Sequence, residues 1–375
     1  MDISKVDSNF KVSVLNGQEL NFYDVHSAPF AIEGLPWRDG MAFNRNPSWV
    51  TVDSLKKNML EYMPEVGEEN ARIWGENLLW LSKHTSGAAI RFRTNSKGVA
   101  VRAKLRESTD MSHMTRLGSA GFDLFSRESA NEPLRFINSV PVEPKELNEN
   151  VERMLHFPTN EKMSDYVLNL PLYGGVETLE IGLSPNAVIE PPTPHMIEKP
   201  VLFYGSSITQ GGCASRPGNM YPSLLCRELD VEQINLGFSG NAKGQPMMAE
   251  AIASLDLSCF VMDYDHNAPS AEHLKKTHYN FYRIIREKHP ELPIIMISRP
   301  DFRDDNDPRN VIVRESYEKA VANGDKKVWF IPGNSLFGFE DYDACTVDGC
   351  HPNDLGFYRM YKRVLPVLKE ALGVR

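Results

Sequence analysis

Asp348 and His351 stand three residues apart in Asp348-Gly349-Cys350-His351-Pro352-Asn353, just ahead of the last helical stretch of the chain. Histidine titrates near neutral pH and can take the proton of a hydroxyl, while a carboxylate can fix its tautomer and stabilise its charged form. An aspartate at this spacing can fold back onto the imidazole within one turn. The pair needs a nucleophile, and Ser207 offers one. It lies in Gly205-Ser206-Ser207-Ile208-Thr209-Gln210-Gly211-Gly212, directly after the apolar run Val201-Leu202-Phe203-Tyr204. A serine at a strand-to-loop corner presents its hydroxyl, and the neighbouring glycines let the backbone turn tightly and approach a substrate. Each stretch alone has an ordinary reading: a Ser/Gly turn in one case, a helix start capped by Asn353 with a solvated histidine in the other. Together they supply a nucleophile, a base and an orienting acid.

The elements that must position these residues follow from the hydrophobic pattern. From residue 200 the chain alternates apolar runs with helical stretches. The runs are Val201 to Tyr204, Gln233 to Leu236, Cys259 to Met262, Ile294 to Ile297 and Val328 to Ile331. The helical stretches lie near 219–229, 246–255, 271–288, 309–322 and 353–372. This alternation predicts a parallel sheet covered on both faces, with ligands at the C-terminal ends of the strands. Residues from about 20 to 185 have a different rhythm. Val99, Val101, Ala103 and Leu105 alternate with Ala100, Arg102, Lys104 and Arg106, Ile90 and Phe92 alternate with Arg91 and Arg93, and Leu179, Ile181 and Leu183 alternate again later. That period of two predicts an antiparallel sandwich, with Thr94 to Gly98 read as a hairpin loop and Val52 to Tyr62 as the main helix. The Pro-rich segment 185–194 separates the two patterns. We therefore divide the chain into residues 1–196, a β-sandwich ending in a Pro-rich linker, and residues 197–375, an α/β domain.

At this point the chain resembles the SGNH, or GDSL-type, hydrolase superfamily, α/β enzymes that hydrolyse esters, thioesters and amides. Its four blocks have counterparts here. Gly205 to Thr209 is the first and implies Ser207 as nucleophile. Asn235-Leu236-Gly237-Phe238-Ser239-Gly240-Asn241 is similar to the glycine block and implies the Gly240 N–H as an oxyanion-hole donor beside that of Ser207. Asp263-Tyr264-Asp265-His266-Asn267 is similar to the block that supplies a side-chain amide, here Asn267. Asp348 to His351 is the fourth, giving acid and base. Two positions depart from the pattern: Ser206 replaces the usual aspartate, and Asp265-His266 replaces the usual glycines before Asn267. Gly121-Phe122-Asp123-Leu124-Phe125 is similar to a Gly-x-Asp-Leu-Tyr signature of an N-terminal β-domain found in one subset of these esterases, with phenylalanine in place of tyrosine. The resemblance implies a three-layer, flavodoxin-like catalytic domain behind a jelly-roll-like sandwich. It further implies hydrolysis of a short acyl ester, acetyl on a carbohydrate, with no cofactor and no metal.

Other residues define what surrounds the chemistry. His113 either reaches the active site from the β-domain or is a polar loop residue. Arg216 and Tyr221, in Arg216-Pro217-Gly218-Asn219-Met220-Tyr221-Pro222, either shape the substrate pocket or belong to a turn leading into a helix capped by Asn219. Asp301 to Asp307 is carboxylate-rich and reads as a solvated loop or a cation site. Tyr279, Phe281 and Tyr282 read as helix packing. A formal net charge of -9 lacks the electrostatic footprint of a nucleic-acid or anionic-membrane binder. Five cysteines without a CxxC pair do not make a disulfide framework or a zinc knuckle. The start, Met1 to Asp7, has no basic-then-apolar pattern, which leaves a cytoplasmic protein or a processed exported one. Two rivals remain: a carbohydrate-binding protein that kept the fold without the activity, and a lipid or thioester hydrolase of the same superfamily.

Overall fold

A computed structural model of the chain describes Leu15 and residues 19–374, apart from 39, 108, 148–149, 159 and 301–305. The start Met1 to Asp7 and most of the carboxylate-rich Asp301–Asp307 stretch lie outside the described residues. Asp307 itself caps a helix, its side chain accepting from Arg309 N and Asn310 N.

The N-terminal half holds β1 (Asn21–Asp24), β2 (Ala31–Glu33), α1 (Val52–Tyr62), α2 (Glu68–Leu81), β3 (Ala89–Thr94), β4 (Val99–Leu105), α3 (Arg116–Ala120), β5 (Phe122–Arg127), β6 (Arg135–Val140), β7 (Asn150–His156), β8 (Ser164–Asn169), β9 (Val176–Leu183) and β10 (Ile189–Glu190). Its strands form two antiparallel sheets, ordered β1-β9-β4-β7 and β10-β3-β8-β5-β6, with β2 also on β3. One apolar core lies between them, from Val99, Val101 and Ile181 on the first sheet to Ile90, Phe92, Leu124 and Leu168 on the second. The expected β3–β4 hairpin is corrected. β3 pairs with β2, β8 and β10, and β4 pairs with β7 and β9. The residues between them cross from one sheet to the other. Stacked sheets stand about 10 Å apart, and four residues can span about 13 Å, so the short link suffices. Ser96 Oγ serves the corner, donating to Gly98 O and accepting from the N–H groups of Gly98 and Ser184.

The C-terminal half holds β11 (Ile197–Gly205), α4 (Ser207–Gln210), α5 (Tyr221–Leu229), β12 (Val231–Gly237), α6 (Pro246–Ile252), β13 (Cys259–Asp263), α7 (Ala271–Lys288), β14 (Ile294–Ile297), α8 (Pro308–Ala322), β15 (Val328–Ile331) and α9 (Asp354–Leu372). The five strands are parallel in the order β12-β11-β13-β14-β15. That is the doubly wound order in which the path reverses beside the first strand, leaving a crevice at its C-terminal end. Gly205 pairs with both Gly237 and Asp263, so the first three motifs leave the sheet from one rung. Asn353 caps α9 as its sequence predicts, accepting from Gly356 N.

Two features escape the sequence pattern. α2 was not anticipated. Together with α1 it places Val50, Leu55, Leu78 and Leu81 in the same core as Leu202, Ile234 and Phe281 of the parallel-sheet half. The polar face of the second antiparallel sheet also turns to the other half instead of to water: Arg91, Asp123, Arg127 and Asp165 are all buried.

Candidate active site

Gly205 ends the strand with no room for a side chain, since a Cβ would meet Thr209 Oγ1 at 2.0 Å and Asp263 O at 2.4 Å. The chain therefore turns at once into α4. Ser206, in the place of the family aspartate, caps that turn by accepting from Ile208 N at 3.1 Å. Ser207 is then the first helical residue. Its Oγ lies 2.9 Å from His351 Nε2, across 144 positions of sequence. His351 Nδ1 lies 2.7 Å from Asp348 Oδ2, and Asp348 Oδ1 accepts from the backbone N–H groups of His351 (2.7 Å) and Cys350 (2.9 Å). A carboxylate only accepts, so Nδ1 carries the proton and Nε2 is left to accept from Ser207.

That assignment holds for the neutral imidazole; the charges around it favour the imidazolium, in which both ring nitrogens carry protons. Burial would raise the Asp348 carboxyl, but the hydrogen bonds from His351 and Cys350 outweigh it and hold it at about 2. Cys350 pushes the His351 imidazole up to about 9, against desolvation and with help from Asp348. Cys350 is itself drawn down to about 6 by His266 and His351. The imidazolium, which a base becomes on taking a serine proton, is thus the form the surroundings favour.

Gly240 and Asn267 line the same open cleft as Ser207 and His351, a space of about 770 Å³. Gly240 has φ 69°, a conformation that glycine adopts without strain. Asn267 Nδ2 donates to Phe238 O at 2.8 Å, which fixes the amide and leaves its second N–H for a substrate oxygen. Lys243 ties the two loops together: its Nζ donates to Gly240 O (2.7 Å) and Asn267 O (3.2 Å), and it lies 4.9 Å over the Trp74 ring. Burial draws this ammonium down to about 8. Such a frame, a hydroxyl against an oriented imidazole beside fixed N–H groups, is equipped for acyl transfer.

Comparison with known proteins gives the same answer. Residues 198–369 match the GDSL-like lipase/acylhydrolase family, and residues 37–189 match the N-terminus of SGNH-hydrolase-type esterases. The chain is an SGNH-type ester hydrolase. A solved structure described as a GDSL-like lipase from Bacteroides ovatus ATCC 8483 is similar at 27% identity, covering 95% of this chain and 99% of that one with a TM-score of 0.79. The salicylyl-acyltransferase SsfX3 of a tetracycline biosynthetic pathway shares the fold at 19% identity, 95% and 98% coverage and a TM-score of 0.69. A family two carbohydrate esterase from Clostridium thermocellum, solved with cellohexaose, shares it at 16% identity, 77% and 94% coverage and a TM-score of 0.56. No curated protein matches. Among the described residues, no helix of this SGNH hydrolase is long and apolar enough to cross a membrane.

The N-terminal half of the hydrolase contributes directly to the cleft. His113 lines it, its ring 5.9 Å from that of His351, and Trp80 and Tyr173 line it as well. The His113 loop is docked by Thr115 Oγ1, which donates to Ser215 O at 2.8 Å.

Arg216 and Tyr221 are corrected: neither lines this cleft. Arg216 Nη1 donates to the fully buried Asp123 at 2.7 Å, and its guanidinium lies over Phe136. Tyr221 is buried, and its hydroxyl donates to Asp263 Oδ2 at 2.9 Å. Burial, followed by the nearby Asp265, pushes that carboxyl up to about 7. Asn219 does not cap α5 but donates to Ser215 Oγ and Asp354. All five cysteines are free thiols.

Sequence reasoning missed the support of the glycine loop. Gln210 Oε1 accepts from Ser239 N and Ser239 Oγ, both at 3.0 Å, and Ser239 Oγ meets Tyr173 Oη at 2.8 Å. Gln210 Nε2 donates to Leu172 O and to His84 Nδ1. Burial, then Arg45 and Arg106, hold that histidine neutral, down to about 3. Arg45, fully buried, donates to the carbonyls of Asn235, Gly237 and Leu81. Their sequence signal is weak, because each is a single polar residue whose partner lies across the domain boundary.

Proposed function

We propose that this hydrolase removes short acyl groups, acetyl foremost, from carbohydrate by a Ser-His-Asp mechanism. The hydrogen-bonded Ser207–His351–Asp348 set, whose serine and histidine line the cleft, carries this reading. Ser207 Oγ attacks the ester carbonyl while His351 Nε2 takes its proton. The Ser207 and Gly240 N–H groups and the Asn267 amide receive the charge that develops on the carbonyl oxygen. His351 then gives its proton to the leaving alcohol, and an acyl-Ser207 ester remains. Water attacks that ester, again with His351 as base, and releases the acid and free Ser207. Asp348 keeps Nδ1 protonated throughout. None of these steps uses a cofactor or metal.

The carbohydrate half of the proposal rests on what rims the cleft. Trp80 is 46% exposed and its indole N–H is held by Glu107 at 3.0 Å. A fixed, exposed ring beside Asn77 and Asp110 suits the apolar face of a sugar flanked by its hydroxyls. The family two carbohydrate esterase that shares the fold was solved with cellohexaose, which points the same way. A second reading, transfer of the acyl group to an alcohol instead of water, draws on the fold shared with the salicylyl-acyltransferase over almost the whole chain.

The test is hydrolysis of p-nitrophenyl acetate against longer-chain esters, alongside release of acetate from acetylated oligosaccharides. The Ser207→Ala protein should lose on the order of 10⁶-fold in kcat while keeping its circular dichroism. Organophosphate label recovered on Ser206 instead of Ser207 would overturn the nucleophile. Preference for long acyl chains would overturn the substrate class. Ester formation with an added alcohol outrunning hydrolysis would favour transfer.

A further inference from the structure

The cleft contains a side-chain group that the proposed reaction does not use. Cys213 lines the cleft, directly after Gly211 and Gly212, with its side chain largely buried. Its φ is 75°, one of three positive values at non-glycine positions among the described residues. Cysteine has no backbone reason to adopt that conformation, and strain of this kind collects where a side chain is held for a purpose. Around it stand His113, from the β-domain, and His351. One ligand atom from each of the three lies within 4.8 Å of the other two.

We propose that His113, Cys213 and His351 form a binding site for a zinc-class divalent cation, and that the bound ion shuts the active site. For its inhibitory consequence the proposal rests on Ser207 and His351 acting as nucleophile and base. Two imidazoles and a thiolate suit zinc, cobalt(II) or cadmium, and do not suit magnesium or calcium, which prefer oxygen ligands. In a tetrahedral site with Zn–N about 2.0 Å and Zn–S about 2.3 Å, ligand atoms stand about 3.5 Å apart. The group therefore needs to close by about 1 Å from its 4.8 Å limit, a movement open to His113 on its exposed loop. Asp348 holds His351 Nδ1, so Nε2 is the nitrogen left for the ion. A carboxylate on the far nitrogen is the usual support of a metal-bound histidine. On binding, the Cys213 S–H bond breaks, its proton goes to solvent and a metal–sulfur bond forms, with no change of oxidation state. The ion then occupies the nitrogen that Ser207 needs.

Asp348, Cys350 and His351 also lie within 4.8 Å of one another. An ion there would have to compete with the Asp348–His351 bond, whereas the Cys213 group leaves that bond intact.

The experiment uses the full chain without thiols or chelators. Zinc chloride is titrated against hydrolysis of p-nitrophenyl acetate, and cobalt(II) chloride is titrated in parallel while the thiolate-to-cobalt absorption is recorded. Zinc should inhibit, and EDTA should reverse it. Cys213→Gly, which suits the backbone at that position, should keep the basal rate and raise the zinc needed for half inhibition by at least about tenfold, since even supporting residues of metal sites change affinity by 10–100-fold. It should also abolish the cobalt absorption. Cys213→Ser provides the same reading should the glycine variant fail to fold, and Cys350→Ser should change neither signal. The proposal is overturned if the Cys213 variants are inhibited at unchanged zinc concentrations, if only Cys350→Ser relieves inhibition, or if cobalt gives no thiolate band. The band reports the site even in a protein without esterase activity, so failure of the catalytic reading and failure of the metal site are told apart.

Discussion

Asn267 and Lys243 show how unequal residues are in what their neighbourhood in sequence reveals. Ser207, Asp348 and His351 stand out within short motifs at strand and helix ends, and the structure brings their side chains together. Asn267 was legible by resemblance alone, since Asp265-His266 replaces the glycines expected before it. The structure supplies a reason that the substitution is tolerated: Asp265 Oδ2 accepts from Arg299 N, and Arg309 donates to the carbonyls of Asp265 and Ala268, so the turn is pinned from outside. Asn267→Ala should lower kcat by on the order of 10²–10³ with KM little changed, because the amide matters most once charge develops on the carbonyl oxygen. Steady-state kinetics on p-nitrophenyl acetate decide it, and a raised KM with intact kcat would make Asn267 a ground-state binder. Lys243 was not legible. A lone lysine in a glycine-rich loop reads as a solvated charge, and its two carbonyl partners become visible only once both loops are in place.

At the level of elements, the parallel sheet was read well because buried parallel strands are continuous apolar runs, and β14 and β15 match their predicted limits. The antiparallel half was read less well for a physical reason. Alternation gives strands but does not say which sheet each one joins, so the β3–β4 corner was read as a hairpin. Nor does alternation distinguish a polar face in water from one paired across an interface. The Gly121-to-Phe125 signature makes the second point. Asp123, on β5, is fully buried, and its Oδ2 accepts from Arg216 (2.7 Å) and from Gly218 N (2.8 Å), in the segment that follows the nucleophile. Its Oδ1 accepts from Asn169. The motif is therefore a clamp between a strand and the loop leading away from Ser207. Asp123→Ala leaves the Arg216 guanidinium and the Gly218 N–H without their acceptor, and breaking one side of a buried pair costs about 3–5 kcal/mol. The variant should show that loss in urea unfolding, with kcat reduced as the loop loosens. An unchanged urea midpoint would mean that Arg216 finds another partner.

For the molecule as a whole, the two halves by sequence do not each keep to a core of their own: the sandwich has one, but other residues ahead of the linker enter the cores of the parallel sheet. Part of what joins them is ionic. His195, in the linker, lies 2.8 Å from Asp230 and 3.0 Å from Glu33, while Arg127 reaches Asp230 at 2.8 Å and Arg91 reaches Glu33 at 2.7 Å. Burial would lower His195, but its hydrogen bonds to Asp230 and Glu33 outweigh that and raise it above its ordinary 6.5. Glu33 and Asp230 are held below their ordinary values by the same contacts despite burial. The histidine thus contributes stability fully below its unfolded value and loses it as pH rises through the raised folded value, while the carboxylates contribute above theirs and lose it in acid. Unfolding midpoints should therefore fall as pH rises from the ordinary histidine value of 6.5 through the raised folded value, and His195→Gln should flatten that slope; an equal slope in the variant would assign it to other groups. The rest of the junction is apolar. Val50, Leu55, Leu78 and Leu81 fill the same core as Leu202 and Ile234, and Arg45 holds the backbone that leads into the glycine loop. The Pro-rich segment reads as a domain boundary because extended, proline-bearing chain is what linkers are made of, yet Val50, Leu55, Leu78 and Leu81 ahead of it belong to a core of the half that follows it. A fragment beginning at Glu198 would therefore expose a broad apolar face and lose the partners of Gln210 and the glycine loop, so alone it should aggregate and show no near-ultraviolet dichroism. Co-expressed with residues 1–197, it should be recovered as a soluble pair that hydrolyses p-nitrophenyl acetate. A fragment that folds alone and releases acetate from acetylated oligosaccharides as the full chain does would show instead that the N-terminal half is a tethered passenger.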